Sequence, residues 1–298
     1  MPHYDAFSRY HPAVQLIYFT GVLLCAMCWM HPLALTVSLL CALRYARHLL
    51  GTAGVGRLLR TLLPMLLLAV AVNGLCNHQG VHRLCYLPTG NALTAESLLY
   101  GAAAAAMLTA VLLWLACCHA VLTTDRFLYL FGRILPALAL LLSMTLRFVP
   151  RLHTQLTAVL QAQQGLGRSV KQGTLRQRLS TAAAIVSILL TWCLEDAAET
   201  ADSMKGRGYG LPKRSSFSRF RFERRDKGVL AWLLLCEGGL LAGQWAGCPK
   251  FHYFPALGGA PLSLSAAGWL FCELALCLTP LWIQKQENRT WNSSAYKT

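Results

Sequence analysis

The chain has 298 residues, 55% of them hydrophobic and only 13% charged, with a formal net charge of +15. Its mean hydropathy of +0.45 leaves too little polar surface for a soluble domain of this length, which excludes a soluble enzyme or binding module and points to a membrane protein. Seventeen of the 27 Lys and Arg, against seven acids, lie between Asp125 and Lys227, and the positive-inside rule assigns such a block to the cytoplasm. No nucleic-acid motif accompanies the basic block, so anionic lipid or an acidic protein is the expected partner, with no nucleic acid.

The polar start leads to Pro12, whose fixed φ suits the first turn of a helix running to about Met30. His31-Pro32 interrupts the apolar run and predicts a tight hairpin. A second, short span covers roughly Leu33 to Leu43, and Gly51 to Arg60 is a glycine-rich basic connector. The connector resembles a phosphate loop only superficially, because the Lys-Ser/Thr end is missing and no strand precedes it; a linker is the better reading. Leu62 to Leu75 is the third span, Cys76 to Thr94 a polar loop, and Ala95 to Leu122 the fourth span, with Gly101 and Ala102 to Ala106 allowing close helix packing. Thr123-Thr124-Asp125 reads as a helix cap.

From Asp125 to Lys227 the pattern changes. Ile134 to Val149 is apolar but short and stops at Arg147-Phe-Val-Pro-Arg151, which places it at the membrane boundary. Arg151 to Ser169 is amphipathic. A basic turn, Arg168 to Arg178, reverses the chain into a second helix from about Leu179 to Lys205, apolar at first and then acidic at Glu195, Asp196, Glu199 and Asp202. The Phe/Arg run from Ser215 to Lys227 reads as an interfacial anchor. Gly228 to Ala246 and Ser263 to Ile283 are the last two spans.

The expected fold is therefore an all-α polytopic membrane protein with about six transmembrane helices and a cytoplasmic pair of long helices. Residues 1–122 hold the N-terminal spans, 123–227 the cytoplasmic and interfacial helices, and 228–298 the C-terminal hairpin and tail, with both termini in the cytoplasm. Most of the twelve cysteines fall inside apolar runs as small hydrophobes, and Cys25-Ala-Met-Cys28 has no partner ligands for a metal. Cys76 and Cys85 bracket the first outer loop and are candidates for a disulfide. No spaced carboxylate pair, histidine cluster or nucleophile motif builds an active site, so the chain reads as a non-catalytic part with no catalytic residue, metal or cofactor of its own.

The order of features, from the His31-Pro32 break through Leu122-Thr-Thr-Asp125, Leu146-Arg147-Phe148-Val149-Pro150, Ala162-Gln163 and Met204-Lys-Gly-Arg-Gly-Tyr-Gly210, resembles the transmembrane (T) component of energy-coupling factor transporters, the group that includes cobalt-transport permeases. The resemblance covers at least Pro12 to Pro212. It implies that two long cytoplasmic helices each end in an Ala-Arg-Gly signature docking on one of two ABC ATPase subunits, which hold the ATP and magnesium. It also implies that the membrane helices grip a separate substrate-binding subunit in a bacterial or archaeal cell membrane, for uptake of a vitamin or transition-metal ion. Arg147, Pro150, Ala162 and Gln163 carry over as coupling positions, and Arg207 with Gly208 carries over as the second docking signature, Gly206 replacing the usual alanine. The first signature departs from the family pattern: Gly165-Leu166-Gly167 stands where it is expected, with Arg168 one residue beyond. Either Arg168 substitutes from a shifted position or this helix docks by shape and Leu166. The alternative reading is a membrane-embedded enzyme of lipid or isoprenoid metabolism, which calls for paired aspartates at helical spacing to hold Mg²⁺; none is present.

Overall fold

The computed structural model describes residues 5–77, 80–86, 92–132, 135–168, 173–211, 220–245, 251–255, 258–259 and 264–295. The chain divides into two compact units, residues 1–127 with 220–298, and residues 128–219. Helices dominate both, and among the described residues five of them are long and apolar enough to cross a membrane, as an all-α polytopic membrane protein requires.

In the first unit, α1 (Pro12–Cys28) opens with Pro12 in its first turn, and His11 Nδ1 accepts from the Ala13 amide at 3.2 Å. The His31-Pro32 break ends it, and Pro32 starts α2 (Pro32–Cys76). The predicted connector at Gly51 to Arg60 is not a loop. It is helical, and the only departure within α2 is Gly51, at φ 74° and ψ 168°. That conformation is open essentially to glycine alone, so one residue turns the axis and the residues on both sides stay helical.

Two contacts with α3 (Ala95–Val121) show that the turn is a reversal. Trp114 Nε1 donates to Ser38 Oγ at 3.1 Å, while Gly101 packs so closely on α2 that a Cβ there would lie 3.1 Å from Asn73 Cβ and 3.2 Å from Val70 Cα. Residues 38 to 70 laid straight would span about 48 Å, whereas 101 to 114 cover about 20 Å of α3. The arms 32–50 and 52–76 therefore fold back along α3, one parallel and one antiparallel to it, and Gly51 is the corner. Between α2 and α3, a short antiparallel ribbon joins β1 (Arg83–Tyr86) to β2 (Ala92–Thr94). The Cys76 thiol is free; the side chain of Cys85, the other candidate for a disulfide, lies outside the described residues.

After α3 comes a short helix, α4 (Thr124–Gly132), which begins at the predicted cap. In the second unit, α5 (Pro136–Gly165) and α6 (Leu175–Gly206) are the two long helices. Returning to the first unit, α7 (Arg224–Trp245) leads through the two-residue strands β3 (Phe251–His252) and β4 (Gly258–Gly259) to α8 (Leu264–Ala295). The core of this unit is apolar and aromatic, with Tyr18, Phe19, Tyr45, Leu113, Trp114, Leu240 and Leu276 fully enclosed. Cys25, Cys41, Cys117, Cys236 and Cys277 are buried among them as free thiols, the small-hydrophobe role expected of them.

Polar contacts draw the N-terminal segment to the far end of α8. The Ala6 amide donates to Gln284 Oε1 at 2.7 Å, and Arg9 Nη1 pairs with Glu287 at 2.9 Å. Gln15, fully buried, donates to the carbonyls of Phe7, Ser8 and Tyr10 and accepts from Arg126 at 3.3 Å. Tyr45, six residues before the α2 corner, donates to Asp5 at 3.3 Å, and burial raises the Asp5 carboxyl above the usual carboxylate range. The His11 amide donates to Asp226, near the start of α7. One end of this unit thus gathers the N-terminal segment, the corner of α2, the foot of α3, the start of α7 and the last turns of α8.

The Phe/Arg run before α7 is described from Phe220 onward. Phe222 packs on His11 with ring centroids 5.0 Å apart, and Arg225 lies over the Tyr10 ring at 5.4 Å. Residues 215–219 of the run lie outside the described part.

Because Gly51 holds a backbone that other residues reach only under strain, Gly51→Ala is expected to lower stability by about 1–3 kcal/mol. Thermal unfolding in detergent tests this; an unchanged midpoint contradicts the corner.

Candidate functional site

The candidate residues all lie on the second unit's helix pair, the docking candidates at its two ends and Arg147 and Pro150 in the middle of α5. α5 was expected as two segments parted at Pro150, and the structure corrects this: the helix runs unbroken through Pro150 from Pro136 to Gly165. Proline in a helix interior forfeits one backbone hydrogen bond and crowds the preceding turn. The contacts that hold this stretch come from α6. Phe148 stacks on Trp192 at 5.8 Å with the rings 17° apart, the Arg151 guanidinium sits 5.4 Å above the Trp192 ring, and Arg151 Nη1 pairs with Asp196 Oδ1 at 2.5 Å. The Asp196 side chain is only 10% exposed, which shields the carboxylate, while the Arg151 side chain stays 60% exposed, so the pair is half open to water. Val159 on α5 and Ile185 on α6 complete the buried seam. Arg147, the other basic residue of the Leu-Arg-Phe-Val-Pro stretch, is exposed.

α6 starts earlier than expected, at Leu175. Thr174 and Gln177 form a reciprocal capping box there, with the Thr174 amide donating to Gln177 Oε1 at 3.0 Å. Thr-x-x-Gln was the sequence signal for that start, hidden among the arginines of the expected turn. By length and composition α6 also satisfies the requirement for a membrane span, a property the acidic end of its sequence obscures.

Both helices end in the same way. In α5 the Leu166 amide donates to Ala162 O at 3.2 Å, Gly167 to Gln164 O at 3.0 Å and Arg168 to Gln163 O at 2.9 Å. In α6 the corresponding bonds run from Arg207 to Ser203 O at 3.1 Å, Gly208 to Lys205 O at 2.9 Å and Tyr209 to Met204 O at 3.0 Å. These are paired Schellman motifs, each closed by a glycine in the left-handed region, Gly167 at φ 74° and Gly208 at φ 78°. The residues before those glycines match as well: Leu166 at φ −83° and ψ 8°, Arg207 at φ −84° and ψ 8°.

The hydrogen bonds therefore fix a register between the tips. Gly165 corresponds to Gly206, Leu166 to Arg207, Gly167 to Gly208, and Arg168 to Tyr209. Arg168 does not occupy the position of Arg207; a leucine does, and its side chain is 73% exposed. Arg207 and Arg168 are both exposed and, among the described residues, form no ion pair. Gln163, in the turn behind Leu166, has a buried Oε1 without a hydrogen-bond partner among the described residues.

The tips are far apart. From the Phe148–Trp192 contact, α5 runs about 27 Å to Leu166 and α6 about 22 Å to Arg207. The short connection from Arg168 to Leu175 forces an antiparallel arrangement, so the tips face opposite ways at a separation of about 45 Å. Among the described residues no group of three or more His, Cys, Asp or Glu could hold a metal. What the arrangement offers is a strut with two presenting ends, one with arginine ahead of its left-handed glycine and the other with leucine.

The chain matches no protein-family model. Among curated relatives, it is 33% identical over 127 residues to the energy-coupling factor transporter transmembrane protein EcfT of Bacillus selenitireducens, covering 41% of this chain and 47% of that one. It is 33% identical over 105 residues to the protein of the same name from Lacticaseibacillus paracasei (35% and 40% covered), and 27% identical over 99 residues to that of Bacillus subtilis (33% and 37%). The chain spans less than half the length of these relatives. It is thus related in sequence to the transmembrane components of energy-coupling factor transporters.

The contact that holds α5 to α6 is open to a double-mutant cycle. Arg151→Ala and Asp196→Ala, alone and combined, are expected to give a coupling free energy of about 1 kcal/mol or more; a value near zero in detergent unfolding would show that the pair does not fix the helices.

Proposed function

From this kinship we propose that the chain is the non-catalytic coupling subunit of an energy-coupling factor importer. In this reading α5 and α6 present their tips to two ATPase subunits that bind ATP and magnesium, and the membrane helices hold a separate substrate-binding subunit for a vitamin or a transition-metal ion. The observation that carries the reading is the matched pair of helix ends about 45 Å apart, each exposing one side chain ahead of a left-handed glycine. Two such ends on one stiff element suit simultaneous contact with two separate bodies, and closure of the ATPase pair around ATP then moves both ends together. Arg207 supplies a planar, permanently charged fork for a carboxylate, while Leu166 supplies apolar contact. Unequal tips favour two ATPases of different sequence over two identical ones.

The basic end of the first unit, with Arg9, Arg44, Arg47, Arg126 and Arg225, favours a cytoplasmic location for both termini.

Arg207→Glu is expected to weaken association with the ATPases by about 3 kcal/mol or more, since it removes a charge-assisted contact and brings like charges together. Membrane insertion should be unaffected. Arg168→Ala is expected to have a smaller effect than Leu166→Asp, because the matched position is that of Leu166. Co-purification from native membranes reads both outcomes; full retention of the ATPases by Arg207→Glu would refute the docking role.

A further inference from the structure

The basic connector that the coupling role leaves unused forms a site of its own. Thr52, Ala53, Gly56, Arg57, Arg60 and Thr61 line an open cleft of about 600 Å³ just beyond the Gly51 corner. Positions 52, 56 and 60, and positions 53, 57 and 61, are adjacent four-residue rows on one face of the second α2 arm. The opposite face is inward: Val55 is buried, and Leu58 and Leu59 pack on the core. No acidic side chain lines the cleft, and among the described residues neither guanidinium has an ion-pair partner. The Thr61 hydroxyl is already committed to the Arg57 carbonyl at 3.0 Å, so the free donors are the two guanidinium groups and the Thr52 hydroxyl.

The same face changes character along the arm. Continuing from Arg57 and Thr61 in steps of four, three and four, it carries Met65, Leu68 and Val72, which are 52%, 64% and 48% exposed. A pair of cations at the corner of a membrane hairpin, followed by an exposed apolar stripe climbing away from it, has the polarity of one amphiphile: an anionic head and a hydrocarbon tail. A soluble phosphate would use the cations and leave the stripe bare. An acidic protein would meet apolar residues where it needs polar ones.

We propose that the outer face of the second α2 arm binds an anionic phospholipid, its phosphate held by Arg57 and Arg60 in the cleft and an acyl chain lying along Met65, Leu68 and Val72. The site is independent of the coupling role: it stands or falls without the ATPases.

Native mass spectrometry of the intact chain in a neutral detergent, titrated with phosphatidylglycerol or with phosphatidylcholine of the same acyl chains, tests it. Phosphatidylglycerol is expected to bind the wild type about thirtyfold more tightly, from two charges acting near the membrane surface, and Arg57→Gln/Arg60→Gln should abolish the preference. Arg57→Lys/Arg60→Lys, which keeps both charges, should retain part of it and serves as the control should the glutamine variant misfold. Leu68→Asn should weaken phosphatidylglycerol several-fold, and excess glycerol 3-phosphate should fail to displace it. Equal binding of the two lipids, unchanged binding by the glutamine variant, or full displacement by glycerol 3-phosphate would each overturn the proposal, the last by pointing to a soluble phosphate. Loss of a protein partner in the arginine variants with lipid binding intact would overturn it in favour of an acidic protein surface.

Discussion

The ion pair between Arg151 and Asp196, with Trp192 under the guanidinium and Phe148 stacked beside it, is the contact on which the second unit depends. Helices joined by a short connection can splay about it, and a splayed pair would leave the positions of its ends undefined. Here a polar lock and an aromatic stack occupy the same two turns, so α5 cannot slide along α6 without breaking both. A slip of one helical turn moves a tip by about 5.4 Å, enough to separate a guanidinium from any carboxylate it pairs with. The lock also explains how a proline is accommodated: Pro150 sits between Phe148 and Arg151, where α6 holds the chain on both sides.

The two tips show how one backbone solution can carry different chemistry. A Schellman ending satisfies the last carbonyls of a helix with amides from the residues just beyond it and needs a left-handed residue only at the glycine. The position before that glycine is unconstrained by the motif, and this chain places arginine at one end and leucine at the other. If both tips engage partners as proposed, the cationic end is sensitive to salt and to a single charge reversal, and the leucine end responds chiefly to the shape of the groove that receives it.

Much of this was legible in the sequence, for identifiable reasons. His31-Pro32 marks a boundary because proline cannot continue the preceding helix, and Pro12 a start because its missing amide is unneeded in a first turn. The offset of Arg168 from Gly167 revealed that the first signature lacks its arginine, since a left-handed glycine sets the register of the residues around it. Gly51 to Arg60 was less legible: glycine clusters usually mark loops, but here one glycine makes the turn and its neighbours pack on the core through Val55, Leu58 and Leu59. The partner of Asp196 was not legible at all. Arg151 lies 45 positions away on another helix, and an acidic residue among Glu195, Glu199 and Asp202 carries no mark that distinguishes it from a solvated one.

The ends of α5 and α6 share one backbone ending, and both are proposed to engage nucleotide-binding subunits. Arg168 and Tyr209 occupy matched positions in the two endings without being the residues proposed to make the contacts. A photo-reactive amino acid introduced at each in turn, irradiated in native membranes and followed by identification of the cross-linked chains, interrogates both ends directly. Each position is expected to label an ATPase subunit, and a different polypeptide at each end if the two ATPases differ. Labelling of lipid or of unrelated membrane protein at both positions, with no ATPase captured, would contradict it.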